Sequence, residues 1–247
     1  MSATGLPISP IRTPGLFVTG TDTNVGKTYI AAAIAASIRG SGRRVEVLKP
    51  VATGCVKRRE GLVSEDAELL AAASDTDQPL DLICPNPYAE PLAPSVAARR
   101  ANRPVDYLAI ERSVALAGRT DAWIIEGAGG VLTPLDDVHT IRDLIVAFGL
   151  PAIVVATPRL GTINHTLLSI EALRAAGIDV AGVVLNRYPT DTPGTAEETA
   201  AAEIERLGRV AVLAIVPDEP WTPPAPPPAV MSAIGRVDWP ARLRGPG

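Results

Sequence analysis

The chain has 247 residues, 47% of them apolar, enough to bury a substantial core and in keeping with one α/β domain. Its formal charge of -4 argues against a nucleic-acid or anionic-membrane surface, which would need a field of Lys and Arg, and points to small molecules as partners. With only Cys55, Cys84, His139 and His165, and no metal-ligand spacing among them, neither a disulfide framework nor a zinc site is expected.

Residues 1–14 are rich in proline and small side chains. They lack the basic start and continuous apolar stretch of a secretory signal, so they read as a flexible lead-in to a domain covering 15–247 in a cytoplasmic protein. A first strand is predicted over 16–19, followed by a glycine-bearing loop and a helix over 26–39 that stops at Gly40. Further strands are predicted over 45–48, 123–125, 153–156, 180–185 and 210–216. Helices over 65–73, 105–117, 140–148, 164–176 and 196–207 alternate with them. This alternation predicts a doubly wound, mostly parallel sheet, and apolar residues at consecutive strand positions place helices on both faces. The apolar runs fall well short of the roughly 20 residues a membrane span requires. Prolines weaken the rhythm over 75–104, and a polyproline-like surface segment or tail is expected over 217–228. His139, with no acidic or nucleophilic partner evident from sequence, reads as a structural residue.

The strongest local signal is Gly20-Thr-Asp-Thr-Asn-Val-Gly-Lys-Thr28, placed between a strand and a helix as phosphate binding requires. Backbone N–H groups in such a loop converge with the positive end of the helix on phosphate oxygens. Lys27 adds a mobile charge and Thr28 a hydroxyl suited to a metal. A strict Gly-x4-Gly-Lys-Ser/Thr pattern would place glycine at position 21; here Thr21 stands there and Gly20 precedes it, so the loop is longer by one residue. Glu126, at the end of an apolar strand and followed by Gly127-Ala-Gly-Gly130, should emerge at the carboxyl edge of the sheet, where ligands collect. Magnesium arriving with a triphosphate favours such carboxylates and hydroxyls. Ser64 reads as a helix N-cap and Asp66 as a first-turn acid.

Three motifs in succession, Gly20 to Thr28, Lys49-Pro-Val-Ala-Thr-Gly54 and Glu126 to Gly130, resemble those of the dethiobiotin synthetase family, and the likeness covers about 16–217. The resemblance implies a P-loop NTPase fold and a homodimer. It also implies ATP-dependent conversion of 7,8-diaminopelargonic acid and carbon dioxide to dethiobiotin, through a carbamate and a carbamic-phosphoric anhydride. It assigns Lys49, Lys27 and Thr23 to catalysis, Thr53 and the segment Gly161, Thr162, Ile163, Asn164 to substrate, and Thr28, Asp66 and Glu126 to Mg2+. ATP would further meet Asn24, Val25, Gly26, Tyr29, Gly127, Ala128 and Gly129, with the base at Asn186, Arg187, Pro217, Asp218 and Glu219. Pro91 to Ser95 resembles the loop beside the diamine. A competing reading is a regulatory or partitioning ATPase that dimerises with nucleotide; those proteins usually carry an additional lysine near the loop's start, where this chain has Thr21, Asp22 and Thr23. Another ATP-dependent amide- or ring-forming ligase is a further alternative, against which the 49–54 motif speaks.

Overall fold

The structure is a computed structural model that describes residues 4–59, 61–221 and 225–244. In chain order its elements are β1 (Gly15–Gly20), α1 (Lys27–Gly40), β2 (Val45–Leu48), β3 (Val51–Thr53), β4 (Val56–Arg58), β5 (Gly61–Val63), α2 (Glu65–Ser74), α3 (Leu80–Ile83), β6 (Asn86–Tyr88), α4 (Pro94–Arg100) and α5 (Tyr107–Leu116). They continue with β7 (Ala122–Glu126), α6 (Ile141–Phe148), β8 (Ala152–Ala156), α7 (Thr162–Ala175), β9 (Val180–Tyr188), α8 (Thr195–Gly208), β10 (Val212–Pro217) and α9 (Pro228–Ile234). A six-stranded sheet runs β10-β9-β8-β1-β7-β2, with every pairing parallel.

The consecutive apolar strand residues are buried on both faces, as the sequence predicts. Successive side chains of a strand point to opposite faces. Phe17, Ile125 and Val154 therefore enter one core cluster, while Leu16, Val18, Ile124 and Ile153 enter the other. Helix α1 is buried along most of its length because Ala31, Ala32, Ala33 and Ala35 let it lie close to β1 and β7, with α2 and α9 also against it. β1 sits between β7 and β8, so its carboxyl end opens at the point where connections leave to opposite sides of the sheet. That crevice is where open α/β sheets take ligands.

Several elements depart from expectation. Over 75–104 the prolines start structure rather than only interrupting it: Pro94 occupies the first turn of α4, where its missing N–H costs nothing, and β6, containing Pro87, pairs with β3 in a separate two-stranded ribbon. Pro228 likewise opens α9; positions 222–224 of the proline-rich segment lie outside the described residues. Residues 4–14 bury Leu6, Ile8 and Ile11, and the Ile11 N–H donates to the Phe148 carbonyl at 2.9 Å. Positions 1–3 lie outside the described residues. These anchors are too sparse to form a periodic pattern. β9 runs three residues beyond its predicted end, so Asn186 and Arg187 belong to the strand rather than following it, and Pro217 closes β10. No helix among the described residues is long and apolar enough to cross a membrane.

Candidate active site

The phosphate loop takes its shape from close approaches that explain its glycines. A side chain on Gly20 would place its Cβ 2.8 Å from the Val25 side chain, so the small residue belongs at position 20 and the loop closes over it with one residue more. Gly26 has φ 88°, and a Cβ there would stand 2.1 Å from Asn186 Nδ2. Glycine is thus demanded twice at this position, by backbone conformation and by space. Asn24, with φ 59°, is of a type that tolerates the left-handed region. Asn186 Nδ2 donates to the Val25 carbonyl at 2.9 Å and so ties β9 to the loop.

Beside the loop lies a buried charge cluster contributed by α1, β7, α2 and the end of β2. Glu126, 1% exposed, accepts the Thr28 hydroxyl on Oε1 at 2.9 Å and Lys49 Nζ on the same oxygen at 2.5 Å. Lys49 Nζ also lies 2.9 Å from Asp66 Oδ2. Ser64 caps α2, its Oγ accepting the Ala67 N–H at 3.2 Å, which fixes the first turn that carries Asp66. Among the described residues Glu126 Oε2 is buried without a hydrogen-bond partner. Lys27 reaches back over its own loop to the Asp22 carbonyl at 2.8 Å.

Burial disfavours charge throughout this cluster, and partners decide the outcome. Against burial, Glu126 and then Asp66 hold the Lys49 ammonium above its ordinary value, so it remains a cation at neutral pH. Burial likewise pushes the Asp66 carboxyl up, but Lys49 outweighs it and the pKa falls. Burial lowers Lys27 to about 8 because Glu126 only partly compensates and Lys49 adds repulsion. Lys49 is therefore a fixed charge, and Lys27 one that responds to an arriving anion.

A cavity of 760 Å³ collects Thr23, Asn24, Gly26, Lys27, Thr28, Tyr29, Lys49, Thr53, Asp66, Glu126, Gly129 and Arg187 from the sequence-predicted set. Glu65, Glu68, Leu69 and Ala72 of α2 also line it, an edge of the helix that only its three-dimensional course reveals. Val25 and Ala128 are buried behind the loops, and the Phe17 ring lies 2.9 Å from where a Cβ on Gly127 would stand. A second cavity, of 320 Å³, is lined by Asn186, Arg187, Pro217, Asp218 and Glu219 and shares Tyr29 and Arg187 with the first. Pro220, Trp221 and Val230 complete it; sequence reasoning missed them because proline-rich composition concealed the fold of that segment. Gly161, Thr162, Ile163 and Asn164 line neither cavity: Gly161 caps α7 at φ 95°, and Leu160 beside it is 93% exposed. His139 has the partner the sequence did not reveal, Asp136 at 2.9 Å, which also accepts the Tyr107 hydroxyl at 2.5 Å. This network holds the loop before α6.

Strand, phosphate loop and buried lysine–carboxylate cluster together define a P-loop protein that uses a nucleoside triphosphate. Residues 14–225 match the family described as AAA domain. The septum site-determining protein MinD of Pyrococcus horikoshii, solved with Mg-ADP, shares the fold with a TM-score of 0.50 and 19% identity, covering 84% of this chain and 82% of that one. The ATP-dependent dethiobiotin synthetase BioD of Anaeromyxobacter dehalogenans is 47% identical, over 83% of this chain and 91% of its own length. The proteins of the same name in Methanocaldococcus jannaschii and Bacillus subtilis are each 38% identical, over 81% and 82% of this chain and 92% and 87% of theirs. The chain belongs to the ATP-dependent dethiobiotin synthetase family.

Proposed function

We propose that Lys49, clamped between Glu126 and Asp66 beside the phosphate loop, is the centre at which this chain joins a carbamate to the γ-phosphate of ATP. As a member of its family the chain is an ATP-dependent ligase that forms dethiobiotin in biotin biosynthesis. In the reaction we assign, one amine of 7,8-diaminopelargonic acid adds to carbon dioxide and loses a proton to give a carbamate. A carbamate oxygen then attacks the γ-phosphorus, expelling ADP. The second amine attacks the carbonyl carbon of the anhydride, and phosphate leaves as the ureido ring closes.

Carbamate and triphosphate are both anionic, so the barrier contains their mutual repulsion, and preorganised cations reduce it. The observation carrying this reading is that Lys49 is buried and held protonated by two carboxylates, which suits it to electrostatic stabilisation and not to proton removal. In this reading Lys27 and the backbone N–H groups of the loop take the phosphates, while Thr23 and Thr53, which line the same cavity, serve the reacting phosphate and the diamine. The Thr28 hydroxyl, Asp66 and Glu126 are hard oxygen donors. With Glu126 Oε2 unpartnered they fit magnesium, which would neutralise charge on the β- and γ-phosphates when bound.

Because Asn186 Nδ2 is committed to Val25, its Oδ1 is left as an acceptor. An exocyclic amine, as on adenine, suits it better than a carbonyl. The amino-terminal turn of α7 at Gly161 to Asn164, where the Thr162 N–H already donates to the Arg159 carbonyl at 2.9 Å, would meet the substrate carboxylate across a homodimer interface through its remaining N–H groups, and the exposed Leu160 and Leu168 supply apolar surface for that contact. We place the enzyme in the cytoplasm. Incubation with diaminopelargonic acid, bicarbonate, magnesium and ATP should give dethiobiotin by mass and phosphate release that depends on the diamine. ATP hydrolysis indifferent to the diamine would instead favour a partitioning-type ATPase.

A further inference from the structure

We infer that Trp221 is the stacking platform for the nucleotide base and sets how tightly the base, as distinct from the phosphates, is held. The inference rests on the reading that the triphosphate occupies the loop at 20–28. Tyr29 follows directly on Thr28 in the first turn of α1, and its ring packs on that of Trp221 with centroids 4.9 Å apart and planes tilted by 38°. Both line the 320 Å³ cavity, and Tyr29 and Arg187 line the phosphate cavity as well, so a ligand with phosphates on the loop has a continuous path to the two rings.

The cavity's other groups are few and specific: Asn186 as a directional reader, Asp218 and Glu219 as carboxylates, and Val230 of α9 closing the floor. A flat aromatic guest matches such walls, since stacking uses the π-face that every base has. Among the described residues the buried indole N–H of Trp221 has no hydrogen-bond partner, so packing against Tyr29 and not a hydrogen bond positions the ring. α9 packs on both β10 and α1 and thereby anchors the far side of the pocket. Val230 lies beyond residue 225, where the match to the AAA domain ends.

The chain has three tryptophans, of which Trp123 and Trp239 are 2% and 0% exposed, so an indole signal that responds to nucleotide should come from Trp221. Titrate the protein with Mg-ATP and, separately, with inorganic tripolyphosphate, following tryptophan emission and calorimetric binding together. ATP should change the emission and tripolyphosphate should bind without doing so. Trp221→Phe should abolish the change, and Trp221→Ala should weaken ATP roughly 5- to 100-fold while leaving tripolyphosphate binding intact, which also certifies the variant's fold. Equal ATP affinity in wild type and Trp221→Ala, with tripolyphosphate still bound, would overturn the platform and leave the phosphate-loop reading standing. Failure of both ligands to bind wild type would overturn both.

Discussion

The two ends of the nucleotide crevice are built on different principles. At the phosphate end, the groups that matter come from short motifs at the carboxyl ends of β1, β2 and β7 and from the first turn of α2, are centred on the buried Lys27, Lys49 and Glu126, and position one another through charge. At the base end, β9, β10, α9 and the first turn of α1 each contribute one or two side chains, and packing sets their arrangement. The first region should therefore fail abruptly when altered, and the second gradually.

Lys49 offers the sharpest way to break that contrast. Lys49→Met should cut turnover on the order of a hundred- to a thousandfold, as loss of a preorganised donor does. Because Glu126 then lacks its counter-ion, chemical denaturation should also report a loss of about 3–5 kcal/mol. Adding Glu126→Gln should restore much of the stability and none of the activity. Stability unchanged in the single variant would show that the pair is not the buried unit described.

Gly26→Ala combines a left-handed φ with a 2.1 Å overlap on Asn186. It should weaken ATP roughly ten- to a hundredfold in a binding titration. At the base end, Asn186→Leu should leave turnover with saturating ATP nearly intact but reduce the preference for ATP over GTP by roughly tenfold, read as a ratio of kcat/KM values. A larger loss with tripolyphosphate than with ATP would instead make Asn186 chiefly a brace for the loop through Val25.

A smaller effect comes from Lys27. Its folded pKa of about 8 lies below the ordinary 10.5, so between these values the unfolded chain keeps a proton that the folded chain has released. Fold stability contributed by this group consequently rises with pH across that window. Triphosphate binding, which needs the charged form, falls over the same range. kcat/KM for ATP should decline a fewfold above about pH 8 while kcat at saturation stays flat, because bound triphosphate keeps Lys27 protonated.

The same contrast governs what could be read from the sequence. β1, β2, β7 and β8 and the glycine-terminated helices were legible because burial on both faces writes consecutive apolar residues and a stop at each end. Gly20, Lys27, Thr28, Lys49 and Glu126 were legible because phosphate chemistry fixes residue types within short motifs. The Lys49–Glu126 contact joins residues 77 positions apart and is visible only once β2 and β7 pair. Trp221 and Trp239 were hidden for another reason. Proline-rich composition suggested a surface tail, whereas α9 starts on a proline and Trp239 is fully buried, its indole N–H donating to the Ile234 carbonyl at 2.8 Å. Sparse anchors leave no periodicity to detect.

The central claim, that a carbamate meets the γ-phosphate at Lys49, is tested most directly by the fate of oxygen. In a single turnover begun with freshly mixed 18O-labelled carbon dioxide, diaminopelargonic acid and Mg-ATP, attack by a carbamate oxygen transfers one label to the departing phosphate for each dethiobiotin formed. Labelled phosphate should appear in equal amount to product, with both formed on the order of a hundred- to a thousandfold more slowly in Lys49→Met. Dethiobiotin accompanied by unlabelled phosphate would contradict it.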